Sequence, residues 1–255
     1  MARKVISVIC MLVAIATLSY FGFYCYENSK SRQQSGNISH VKDNNDFVFK
    51  REATVTLDDN ETPDILEEYA SVYELNKSLV GWIKIDGTKV DYPVMQTVNN
   101  DYYLNHNFKQ QKDNNGSIFA DCECSIWPRS QNIILYGHNM RSGNMFGTLK
   151  SYKEESFYKE HKTINFDTIY EKGEYAVMYV FSEVVHDEVE VAFKYYQFIN
   201  ANSDVEYESY MNEMASMSMY DTGVKSKYGD ALITLSTCDY TSGAERFVIV
   251  AKKIR

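Results

Sequence analysis

Three polar residues stand at the ends of apolar, strand-like runs, and together they have the side chains that covalent acyl transfer needs. Cys238 closes Leu232-Ile233-Thr234-Leu235-Ser236-Thr237-Cys238. His138 closes Ile133-Ile134-Leu135-Tyr136-Gly137-His138, and Arg246 opens Arg246-Phe247-Val248-Ile249-Val250. A cysteine acts as a nucleophile in its thiolate form, which a nearby base or positive charge favours. An imidazole can protonate a leaving amine and later take a proton from an incoming one. A guanidinium offers fixed donors to a developing oxyanion. Each residue alone also has a plainer reading. Cys238 is then a small buried hydrophobe, His138 a satisfied structural residue, and Arg246 a surface ion-pair residue. Arg246 follows Cys238 by eight residues. That distance fits a short hairpin connection, which returns the arginine beside the cysteine.

Such residues need a rigid frame, and the rest of the chain supplies strand material. Trp82–Ile85 alternates and is followed by the turn pair Asp86-Gly87. Val90–Met95, Gly116–Ala120, Asn132–Tyr136, Tyr175–Val184, Ala231–Leu235 and Arg246–Lys252 are further strand candidates. Many short strands separated by turn residues indicate a barrel or a sandwich, a mainly β fold. Two helical stretches interrupt them. Thr62-Pro63 predicts a helix start, and Ile65, Leu66, Tyr69, Val72, Tyr73 and Leu75 recur at helical spacing as far as about Asn76. Between Asp204 and Tyr220, Tyr207, Tyr210, Met211 and Met214 form a second helical stripe that packs onto the sheet.

Composition narrows the function classes. The 255 residues carry 44% hydrophobic and 24% charged side chains, enough for one substantial domain with a core of normal size. The formal net charge of -9 leaves no basic footprint for nucleic acid. No Gly-rich phosphate loop, dinucleotide fingerprint or zinc-protease histidine pair occurs. Cys122-x-Cys124 is too closely spaced for a metal knuckle and would make a strained disulfide, so both are read as strand-end cysteines. No metal or cofactor is implied.

Residues Val5–Tyr26 carry no charge, and at about 1.5 Å per residue such a run crosses a bilayer core of roughly 30 Å. Arg3 and Lys4 precede it, so the positive-inside rule places residues 1–4 in the cytoplasm and everything after Tyr26 outside the cell. Tyr20, Phe21, Phe23, Tyr24 and Tyr26 crowd the outer end like an interfacial aromatic belt. The alternative is a cleaved signal peptide, which would have a shorter apolar region and a small-residue cleavage site. Either way the domain lies outside. Residues 27–62 are polar and read as a mobile stalk with two β-prone pieces, Phe47–Phe49 and Thr54–Leu57. Residues 63–255 form the catalytic domain.

Thr234–Cys238, Leu135–His138 and Arg246–Val250 resemble the three catalytic motifs of sortases, specifically class B. Val90–Val94 within Trp82–Met95, Asn100–Asn105, Gly116–Phe119, and Ser156-Phe157-Tyr158 with His161 resemble further stretches of that class, so the likeness runs from Pro63 to the C-terminus. The resemblance implies an eight-stranded β-barrel with N-terminal helices and a helix in the long connection before the Cys strand. It implies Cys238 as nucleophile, His138 as acid and base, and Arg246 as oxyanion donor. Asn100, Leu104, Ser236, Thr237 and Asp239 would border the substrate groove; Val184–Phe198 departs from the pattern and supplies no assigned residue. The implied reaction cuts the C-terminal sorting signal of a surface protein after Thr, in an Asn-Pro-x-Thr-like or related motif. A cell-wall peptidoglycan precursor or pilin amine then resolves the thioacyl enzyme. Two alternatives stay open, a cysteine endopeptidase with water as acceptor and a non-catalytic surface binding module.

Overall fold

The computed structural model describes residues 2–43, 62–184, 193–238 and 245–255. Its described strands form a closed barrel. These are β1 (Leu79–Lys84), β2 (Asp91–Met95), β3 (Ile118–Ala120), β4 (Asn132–Tyr136), β5 (Thr163–Thr168), β6 (Glu174–Val184), β7 (Leu232–Cys238) and β8 (Glu245–Lys253). The order around the barrel is β1-β2-β3-β4-β7-β8-β6-β5. The mainly β architecture read from the strand pattern, and the eight-stranded barrel that the resemblance implied, are therefore the ones observed.

Strand composition explains the closure. Inward-facing Ile83, Val94, Ile133, Leu135, Phe166, Val177, Ile233, Leu235, Phe247 and Ile249 meet in one buried cluster. β4 and β7 read as nearly unbroken apolar runs because both of their faces are covered. β1 and β2 are joined across Asp86-Gly87, with Gly87 at φ 75° and the Ile85 N–H donating to Val90 O at 2.9 Å. That positive φ suits glycine.

Helices cover the outside. Met178, Phe181, Tyr207, Met211, Met214, Val248 and Val250 form a second cluster under α4, the last of the four described α-helices α1 (Ala2–Asp43), α2 (Glu67–Leu75), α3 (Glu155–Glu160) and α4 (Asp204–Met217). The N-terminus of α4 is capped by Ser203, whose Oγ accepts from the Glu206 N–H at 3.2 Å. The helix stops at Met217 rather than Tyr220, because the next residues are used by β6: Ser218 Oγ accepts from the Val180 N–H, and the Met219 N–H donates to Val180 O.

Three other expectations shift. α2 begins at Glu67, not at Thr62-Pro63, because the Leu66 N–H donates to Ile169 O at 2.8 Å and holds the preceding residues extended. β5 is absent from the strand candidates; its one-sided alternation over Thr163–Thr168 is clear only once Ile164 and Phe166 are seen to fill the barrel. The largest difference is at the N-terminus. α1 does not end with its apolar run at Tyr26, and residues 27–43 of the expected stalk are helical and packed against the barrel. Ile38 joins Tyr69, Val72, Leu79 and Trp82 in a third cluster. The pieces Phe47–Phe49 and Thr54–Leu57 lie outside the described residues.

Candidate active site

The barrel order makes β4, β7 and β8 neighbours, although long stretches of chain separate β4 from β7. β4 runs parallel to β7, with Tyr136 level with Ser236, and the Gly137 N–H extends the ladder by donating to Ser236 O at 3.2 Å. His138 follows Tyr136 by two residues, just past the end of β4, as Cys238 follows Ser236 on β7. β7 and β8 are antiparallel, and Cys238 is paired directly with Arg246. The three residues read from the sequence thus meet at one end of three adjacent strands. On β8, Arg246 has the parity of Val248 and Val250, which lie on the barrel's outer face.

His138 is held from two sides. Its Nε2 lies 2.6 Å from Leu104 O, at the end of the 3₁₀ turn Tyr102–Leu104, and its own carbonyl accepts from the Phe146 N–H at 3.0 Å. A carbonyl only accepts, so Nε2 carries the hydrogen in this contact. Two glycines permit this arrangement. Gly116 has φ 60°, and a Cβ there would sit 2.6 Å from Leu104 O and closer still to Tyr103 O. A Cβ on Gly137 would collide with the Ile118 and Phe146 side chains.

Beneath His138, Tyr136 donates its hydroxyl to Asp121 Oδ2 at 2.8 Å. Burial, reinforced by the Asp121 charge, pushes the Tyr136 phenol far above its ordinary range. Asn100 Nδ2 donates to the same carboxylate oxygen at 3.0 Å, while Asn100 Oδ1 accepts from the Cys122 N–H at 2.8 Å. Both amide atoms of Asn100 are therefore engaged with the turn that follows β3. Leu104, 38% exposed, offers its side chain to solvent and its carbonyl to His138. Ser236 and Thr237 are buried in β7; Ser236 Oγ shares a 2.8 Å hydrogen bond with Tyr195 OH, and Thr237 Oγ1 has no hydrogen-bond partner among the described residues. Asp239 lies outside the described residues. Half-buried Arg246 has Glu183 of β6 as its ladder partner on the side away from Cys238.

Sequence reading missed Asp121, Tyr195 and Gly116. Each acts through a neighbour distant in the chain, and the only local signal was Gly116 ahead of a strand. Cys124 belongs to the scaffold. It is buried, its Sγ accepts from the Ile134 N–H at 3.4 Å and donates to Asn132 O at 3.6 Å, and burial pushes its thiol up to about 12. Among the described residues no group of three or more His, Cys, Asp or Glu side chains could hold a metal ion.

The sortase domain family matches residues 83–254. Sortase B of Listeria monocytogenes is 32% identical over 238 residues, covering 91% of this chain and 89% of the relative. The crystal structure of sortase B from B. anthracis in complex with AAEK1 superposes with a TM-score of 0.74 at 29% identity, covering 90% of this chain and 99% of that one. A Staphylococcus aureus sortase B–substrate complex gives a TM-score of 0.68 at 34% identity, covering 75% of this chain and 86% of that one. Family match and structural likeness both cover the barrel: the chain belongs to the sortase family of transpeptidases, and within it to class B.

Proposed function

We propose that this chain is a membrane-anchored cysteine transpeptidase that cuts the C-terminal sorting signal of surface proteins after Thr. The observation that carries the reading is the register that pairs Cys238 with Arg246 and sets Tyr136, two residues before His138, level with Ser236 on the parallel neighbour. The Cys238 thiolate attacks the Thr carbonyl, and Arg246 donates to the oxyanion that forms. As the tetrahedral species collapses, the C–N bond breaks and the leaving amine takes a proton from His138, leaving a thioester on Cys238. An acceptor amine then gives a proton to His138 and attacks the thioester, and the thiolate departs.

The acceptor is an amine of a cell-wall peptidoglycan precursor or a pilin, and the donor motif is of the Asn-Pro-x-Thr kind. The Staphylococcus aureus relative solved as a substrate complex supports a peptide donor. A sortase B structure complexed with triglycine supports an amine acceptor. The exposed apolar turns of α1 support its role as a single membrane span with the N-terminus in the cytoplasm. Leu104 borders the donor groove through its exposed side chain, and Asn100, Ser236, Thr237 and Asp239 frame it.

Mass spectrometry with a panel of sorting-signal peptides tests the reading. A thioacyl adduct should appear on Cys238, and adding an amine should convert it to a new amide. Adduct formation undiminished in Cys238→Ala would sink the assignment, and release to water alone despite the amine would make the chain an endopeptidase.

A further inference from the structure

The membrane-spanning run and the barrel are joined by an unbroken helix, and this fixes where the barrel sits. Along α1, Asn28, Ser31 and Ile38 are buried at helical spacing, while residues 4–23 are exposed. Asn28 Oδ1 accepts from Ser142 Oγ at 3.1 Å, and Asn28 O accepts from Asn144 Nδ2 at 3.3 Å. Further along, Gln34 Oε1 accepts from Asn107 Nδ2 at 3.3 Å, and Lys42 Nζ stands 4.7 Å from the Trp82 ring centroid. The helix is thus clamped to the barrel from Asn28 to Lys42.

Asn28 lies two residues past Tyr26, where the apolar run ends, which is about 3 Å along the axis at roughly 1.5 Å per residue. The headgroup layer on each side of a bilayer is roughly 5–8 Å thick. Ser142 and Asn144 therefore fall within it. Exposed Arg141 belongs to the same loop, and exposed Lys89 joins it by donating from Nζ to Ser142 O at 2.7 Å. His138 precedes Arg141 by three residues, a chain distance of at most about 10 Å.

We propose that the loop Met140–Asn144, with Lys89 beside it, is the barrel's membrane-facing surface, seated among phospholipid headgroups with Arg141 and Lys89 toward their phosphates. This rests on α1 being a membrane anchor and goes beyond it. The catalytic strand ends are then held at the bilayer surface at fixed height, where the chain of a membrane-inserted substrate emerges.

A photo-crosslinking amino acid placed singly at 12, 141 and 172 in the full chain, reconstituted in phosphatidylglycerol and phosphatidylcholine vesicles, tests this. Exposed Lys172 lies near the far end of α1, beside Asp43, about 25 Å from Tyr26 along the helix at roughly 1.5 Å per residue. Lipid adducts are expected from 12 and 141, with at least a tenfold lower yield from 172. Adducts from 12 but not 141 would overturn the docking surface and leave the anchor intact. Equal yields from 141 and 172 would overturn the fixed height. No adduct from 12 would remove the anchor itself, and the proposal with it.

Discussion

Arg246 stands directly across the β7–β8 ladder from Cys238, in the last described pair of that ladder. A guanidinium fixed on a strand beside the nucleophile presents several donors without a reorganisation cost at the moment of reaction. Replacing Arg246 by Ala should lower kcat by about 10²–10³. Arg246→Lys should recover little of it, because a single ammonium cannot reproduce the fork. Steady-state kinetics on a sorting-signal peptide, with KM followed separately, measures this.

Gly116 decides whether His138 keeps its hydrogen bond. At φ 60° and with Leu104 O only 2.6 Å from a Cβ, Gly116→Ala must move the carbonyl that Nε2 contacts. Strain of this kind costs about 1–3 kcal/mol. The expected result is a lower melting temperature and a lower kcat, because the imidazole loses the acceptor that holds its ring in place. Gly223, at φ 74° with nothing nearby, is the control: Gly223→Ala should cost stability without lowering kcat.

Asp121 ties the loop carrying Asn100 to the strand carrying His138. Its Oδ2 accepts from both Tyr136 OH and Asn100 Nδ2. Tyr136→Phe removes one donor from a buried carboxylate and should cost about 1–3 kcal/mol. Asn100→Ala should cost a similar amount and also free the Cys122 N–H. A double-mutant cycle by urea unfolding should show non-additivity, because the two residues share one acceptor.

Asp230 gives a pH dependence with a definite sign. Burial pushes its carboxyl upward. The Lys252 ammonium at 2.9 Å, the Lys227 N–H and the Lys227 charge outweigh that and hold it below the ordinary carboxylate value. A carboxylate with a lowered folded pKa stabilises above its unfolded pKa, near 3.9, and loses that contribution as pH falls through the folded value. The melting temperature of Asp230→Asn should lie below that of the parent at pH 6–7 and converge with it toward pH 2.

The N-terminal helix shows where sequence reading stops. Val5–Tyr26 stood out as a candidate membrane span because length and apolar composition are properties of one segment. The docking face of α1 did not, since Asn28, Ser31 and Gln34 are polar and have no hydrophobic period. Their partners Ser142, Asn144 and Asn107 lie some seventy or more residues away in the chain. A polar helix surface looks solvated until the surface opposite it is known.

The sequence by itself determined which residues could carry acyl-transfer chemistry: a cysteine, a histidine and an arginine at the ends of apolar runs. Strand patterns are local and so legible. Only the tertiary structure decided that β4 and β7 lie side by side, that His138 is held by Leu104 and spared a clash by Gly116, and that α1 clamps the barrel where its apolar run ends. Those relationships are registers and contacts between distant segments, and no residue carries in its own type the identity of the one it will meet.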